Sequence, residues 1–169
     1  MTFILPRNQV PGHAGVTHSP TGVVPASGVI PTGGALYAPY VGADGTMWLA
    51  FWTGTQWRND RLGFAVKTGT SPSAYLGANG QMFVSYVGSD GVLNLGQWTG
   101  TQWRGDRLGA QVLPGTNLSA YLGANGQHYI NYVGSDGTMW LAFWTGTQWR
   151  NDRLGFAVKT GTSPSAYLG

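Results

Sequence analysis

Cysteine is absent from the 169 residues, which excludes disulfides, thiolate zinc sites and thiol nucleophiles together. Glutamate is absent too, so all six acidic residues are aspartate. Charged residues make up only 9% of the chain, and nine basic residues are a thin supply for tracking phosphates despite a formal charge of +3. No nucleic-acid partner is expected. No apolar run approaches the ~18 residues of a membrane span, so membrane insertion is not expected either. The start, Met1-Thr-Phe-Ile-Leu-Pro-Arg7, has no basic leader followed by an apolar stretch. The expectation is a chain that stays in the cytoplasm or leaves by an unconventional route.

What the chain does have is glycine, 28 residues of it, and 13% aromatic residues including eight Trp. A low charge with that many large rings belongs to a packed protein and not to a disordered Gly-rich one.

Its organisation is set by an internal repeat of 46 residues. Tyr40-Val-Gly-Ala-Asp-Gly returns from Tyr86 and again from Tyr132, and Trp-Thr-Gly-Thr-Gln-Trp-Arg recurs from Trp52, Trp98 and Trp144. Residues 40–77 and 132–169 differ only at Ala43 against Ser135, whereas the middle copy departs at many positions. Three units result, 27–72, 73–118 and 119–164, with 165–169 opening an unfinished fourth. Residues 1–26 hold four of the nine Pro and no Trp, and they read as an arm.

Asn-Gly and Asp-Gly pairs at 79–80, 125–126, 44–45, 90–91 and 136–137 punctuate each unit as hairpin turns. Four short strands per unit lie between them. No window carries a 3.6-residue apolar period, so essentially no helix is expected. Along Thr46–Trp52, Met47 and Leu49 point one way while Trp48, Ala50 and Trp52 point the other. A strand apolar on both faces needs neighbours above and below, as in a blade of a β-propeller.

The series Asn-Gly-Gln-Met-Phe-Val-Ser-Tyr-Val-Gly-Ser-Asp-Gly, then Leu-x-x-x-Trp-Thr-Gly-x-x-Trp, then Asp-Arg-Leu-Gly resembles the blade of bacterial and fungal β-propeller lectins, including the fucose-binding ones. The resemblance spans residues 27–169. It implies an all-β chain of four-stranded blades, three per chain, that binds glycans through fucose or a related monosaccharide without catalysis. Because three blades do not close a ring, it also implies a homo-oligomer, two copies giving six blades. The lack of Glu is a departure, since in some of those lectins a glutamate contacts the sugar. A β-trefoil, also built of three four-stranded units, is the alternative fold. A structural or protein-binding propeller with no sugar ligand is the alternative function.

Candidate sugar-binding residues are Trp57, Arg58 and Asp60, with Trp103, Arg104 and Asp106 and with Trp149, Arg150 and Asp152 in the other copies. An aromatic ring suits the C–H face of a sugar, and a guanidinium and a carboxylate suit its hydroxyls. Equally, Asp can pair with a neighbouring Arg to hold a strand end while the Trp packs between blades. Trp48 and Trp140 give way to Asn94 in the middle copy, which places them near a surface or groove. Tyr75 and Tyr121, on the first strand of their units, offer a hydroxyl or pack along the inner channel. Trp52, Trp98 and Trp144 are expected in the core. His128 stands where the other copies carry Leu36 and Met82, a tolerated substitution and not a base. No catalytic residue, metal or cofactor is expected.

Overall fold

A computed structural model describes residues 36–167; the arm at 1–26 lies outside them, as do 27–35 and the last two residues of the tail. Eleven strands run in chain order among the described residues, with no helix. They are β1 (Tyr37–Val41), β2 (Thr46–Trp52), β3 (Trp57–Ala65), β4 (Ser73–Leu76), β5 (Met82–Val87), β6 (Val92–Trp98), β7 (Trp103–Gln111), β8 (Ser119–Leu122), β9 (His128–Val133), β10 (Thr138–Trp144) and β11 (Trp149–Ala157). Three antiparallel meanders result, ordered β1-β2-β3, β4-β5-β6-β7 and β8-β9-β10-β11. Each unit makes its own sheet, so the trefoil alternative is overturned and the units are propeller blades.

The turns differ from the expected tight hairpin in one respect. Only the glycine is left-handed: Gly45 has φ 73° and Gly91 has φ 83°, and no non-glycine residue has positive φ. Each Asp-Gly loop is closed by a backbone bond, Gly42 N donating to Thr46 O and Gly88 N to Val92 O, and inside it the aspartate acts through its side chain instead. Thr46 N donates to Asp44 Oδ1 at 3.0 Å and Val92 N to Asp90 Oδ1 at 3.1 Å. In the longest strands the ladder shifts register near Gly63, whose φ is 79°. The bulge lets a nine-residue strand bend along the neighbouring sheet.

The core lies between sheets. Met47, Leu49 and Leu62 of the first sheet close against Met82, Val84, Tyr86 and Trp98 of the second. Phe83, Leu93, Leu95 and Leu108 of the second close against Ile130, Tyr132 and Ala142 of the third. The chain also stitches consecutive sheets at their edges, where Lys67 N donates to Val87 O at 2.9 Å and Leu113 N to Val133 O at 2.8 Å. Inner strands β4 and β8 are joined by Ala120 N donating to Ser73 Oγ at 3.0 Å. Residues 165–167 form no strand, yet Ala166 N donates to Ser119 Oγ at 2.9 Å, the same bond one unit further on.

Candidate functional site

Strand register decides which face each candidate occupies, because residues directly opposite in an antiparallel pair share a face. Trp57 is opposite Trp52, Asn59 opposite Ala50, Arg58 opposite Phe51, and Asp60 opposite Leu49. Leu49 belongs to the core shared with the second sheet, so Arg58 and Asp60 lie on the face turned toward β4–β7. Trp57 lies on the other face. The Trp-Arg-x-Asp segment is therefore divided between two clefts.

A complete cleft takes its parts from consecutive sheets. Trp98 and Trp103, opposite each other at the end of β6 and β7, belong to the face of the second sheet turned toward Arg58 and Asp60. Trp144 and Trp149 are opposite each other at the end of β10 and β11. Trp149 packs against the core shared by the second and third sheets, which sets that pair toward the face carrying Arg104 and Asp106. Each tryptophan pair is tilted, with ring centroids 5.8 Å apart for Trp98–Trp103 and 5.9 Å for Trp144–Trp149. Trp57 has no preceding sheet over it among the described residues and is 55% exposed.

On the second and third sheets the charge is paired and accessible. Arg104 and Asp106 form an ion pair at 3.3 Å and Arg150 and Asp152 one at 3.2 Å, each with exposed side chains. Gln97 Nε2 donates to Asp106 Oδ2 at 3.4 Å. Arg150 lies over the Phe143 ring, 5.6 Å from its centroid. Burial raises the Asp60 carboxyl above its ordinary value, against the pull of the Arg58 charge. Such exposed pairs contribute ~0 to 1 kcal/mol, so fold stability alone does not require them.

The remaining candidates have other occupations. Trp48 and Trp140 sit at the opposite end of the strands, where their indole N–H groups donate to the turn aspartates, Trp48 to Asp44 at 3.4 Å and Trp140 to Asp136 at 3.0 Å. Asn94 finds a partner of its own, Val92 O at 2.7 Å, which explains why this position accepts it. The second arginine of each segment also serves the turn, with Arg61–Asp44 at 3.2 Å, Arg107–Asp90 at 2.9 Å and Arg153–Asp136 at 2.8 Å. The Thr46 hydroxyl, together with its backbone N–H and the neighbouring Trp48 and Arg61 donors, lowers the Asp44 carboxyl to about 2. Tyr121 stacks on Tyr129 with centroids 5.5 Å apart.

Tyr75 stacks on Phe83, and its hydroxyl is 2.9 Å from His128 Nδ1 across the second cleft. Burial raises Tyr75 and lowers His128 from their ordinary values. His128 is thus a joint between β4 and β9 of consecutive sheets, a role that its alignment with Met82 does not reveal. Phe51, Phe143 and Gln97 were also missed as neighbours of the arginines. Their position opposite Arg58, Arg150 and Arg104 was the available signal.

Among the described residues no three of His, Cys, Asp and Glu gather as a metal-holding group. None of the helices needed to cross a membrane is present there.

No family model and no curated protein matches the chain. Solved structures do. A fucose lectin from Kordia zhangzhouensis in complex with methyl-fucoside aligns with a TM-score of 0.57 at 15% identity, over 73% of this chain and 92% of that one. The fungal lectin of Aleuria aurantia, a six-bladed β-propeller, aligns with a TM-score of 0.66 at 20% identity, over 78% of this chain and 48% of that one. The SapL1 lectin in complex with α-methyl fucoside gives 0.60 at 22%, over 70% and 42%. The chain therefore spans about half the length of the Aleuria protein and most of the Kordia one. At these identities the likeness concerns the backbone: this chain has the blade architecture of propellers that, in the solved cases, are fucose-binding lectins.

Proposed function

We propose that the protein is a multivalent, non-catalytic lectin that binds a monosaccharide such as fucose at the mouth of each cleft between consecutive blades. The observation that carries this reading is the division of parts: a tilted tryptophan pair from one sheet opposes an accessible arginine and aspartate from the sheet before it. The rings offer an apolar wall to the C–H face of a sugar, and the guanidinium and carboxylate offer a donor and an acceptor to adjacent hydroxyls. The fucoside ligands of the Kordia and SapL1 proteins support the choice of sugar.

Three blades leave a ring open, and a second copy supplies the three that bring it to the six of the Aleuria protein. In such a homodimer Trp52 and Trp57 of one copy meet Arg150 and Asp152 of the other. A third cleft per chain is then completed.

The test is a fucose titration and glycan array on Arg58→Met/Arg104→Met. A lost charged hydrogen bond is worth about 1.5–3 kcal/mol, so affinity falls at least tenfold at both internal clefts with the melting temperature nearly unchanged. Undiminished glycan binding by this variant sinks the site, and no binding by the parent protein favours a protein-binding scaffold.

A further inference from the structure

At each of the two junctions the outer strand of one sheet passes an apolar side chain to the next sheet, and the two junctions are not equivalent. At the first junction Phe64 stacks on Tyr86 with centroids 5.0 Å apart. It fills a hole made by Gly96 and Gly105, which stand opposite each other on β6 and β7. A Cβ at Gly96 would meet Phe64 at 2.7 Å and one at Gly105 at 2.9 Å, so the Phe64 ring would have to shift from its seat. At the second junction the passing residue is Ala110, and the receiving positions hold Ala142 opposite Asn151. Asn151 there donates to Leu108 O at 3.4 Å. A large knob meets two glycines, and a small one meets a filled face.

The third sheet passes a large knob again. Phe156 occupies the position of Phe64 and is 67% exposed, with Leu154 beside it at 38%, whereas Leu62 and Leu108 in the covered junctions are each 8% exposed. The sheet at the other end of the molecule, β1–β3, has the filled face, Ala50 opposite Asn59, with Asn59 Nδ2 donating to Tyr40 Oη at 2.9 Å. In a head-to-tail ring of two copies Phe156 would meet that filled face.

The linker, part of the same duplicated block as Phe156, carries the same difference between the junctions. Val158-Lys-Thr-Gly-Thr-Ser-Pro-Ser165 repeats Val66-Lys-Thr-Gly-Thr-Ser-Pro-Ser73, the segment that leads into the glycine-bearing sheet. The segment leading into the filled sheet is different, Val112-Leu-Pro-Gly-Thr-Asn-Leu-Ser119. Asn117 N donates to Ser163 Oγ and Ala166 N to Ser119 Oγ, so the tail already follows the path by which a further blade would enter.

We propose that Phe156 selects against the β1–β3 sheet of a second copy: its ring matches a receiving face with glycine at both positions, as at Gly96 and Gly105, and weakens closure of two copies over Ala50 and Asn59. The selection deepens the ring closure of the proposed function and rests on it. Removing an exposed phenylalanine should then strengthen self-association, the reverse of what loss of a sticky apolar patch would do.

The test is a four-way comparison of the full chain by sedimentation and native mass measurement: the parent, Phe156→Ala, Ala50→Gly/Asn59→Gly, and all three changes together. Phe156→Ala recreates the Ala110 junction, and Ala50→Gly/Asn59→Gly recreates the Phe64 junction. Each tightens the dimer at least tenfold over the parent, and the combined variant, with a small residue over an empty hole, falls back. Should the glycine pair unfold the first blade, as circular dichroism would reveal, Phe156→Ala still decides, since its side chain is exposed. Weaker association of Phe156→Ala, or equal dimers throughout, overturns the selection alone. Monomers throughout overturn both the selection and the two-copy ring.

Discussion

At the scale of single residues, position in the repeat matters less than which neighbour covers it. Trp57, Trp103 and Trp149 hold the same place in the repeat, yet Trp57 is exposed and the other two lie against the core shared with the preceding sheet. His128 is a sharper case. Its ring is wedged edge-on to Phe83 at 4.5 Å and bonded to Tyr75, and burial holds its imidazole below the ordinary value of 6.5. The unfolded chain therefore takes up its proton at higher pH than the folded one does. The His128 contribution to stability is full above about pH 7 and is lost as pH drops through ~6.5 toward the depressed folded value. Urea midpoints between pH 8 and pH 5 should show this slope, and His128→Met, which restores the residue of the second unit, should remove most of it. An unchanged slope in that variant would mean that His128 is not the group responsible.

At the scale of elements, the strands were legible in the sequence because two local signals agree there: Asp-Gly and Asn-Gly at the turns, and apolar alternation between them. Thr46–Trp52 and Ser73–Leu76 emerge with the bounds their side chains announce. The clefts were less legible. Alternation alone sends Trp57 and Arg58 to opposite faces, but only the packing of sheet on sheet says which face meets which, and that depends on contacts between residues tens of positions apart. Tyr75 and His128, 53 positions apart, have no local pattern that pairs them.

The same dependence predicts unequal costs for equal substitutions. Leu108 and Leu154 occupy the same position on β7 and β11, but only Leu108 is covered by a following sheet. Leu108→Ala should destabilise by about 2–5 kcal/mol through the cavity it opens. Leu154→Ala should cost well under half as much at protein concentrations where the chain is a monomer. Comparable shifts in denaturant midpoint under those conditions would contradict the open face at β11.

At the scale of the whole molecule, the proposed sites tie sugar valence to assembly. Three sheets enclose two clefts, and the unmatched halves of a third stand at the two ends: Trp52 and Trp57 on β1–β3, Arg150 and Asp152 on β8–β11. Rings without the opposing guanidinium and carboxylate give a sugar an apolar wall but no fixed orientation, and the converse holds for the charged half. On the proposed reading, neither half should bind comparably to a complete cleft. Fucose stoichiometry should accordingly rise from two per chain in dilute solution to three per chain as copies close head to tail. The transition should track the mass change from 17.9 kDa to twice that value. On the proposed role of Phe156 against closure, Phe156→Ala should move the transition to lower protein concentration without altering either plateau. Calorimetric titration at several protein concentrations, paired with sedimentation, measures both. A stoichiometry that stays at two while the mass doubles would place the copy-to-copy contact somewhere other than the open blade faces.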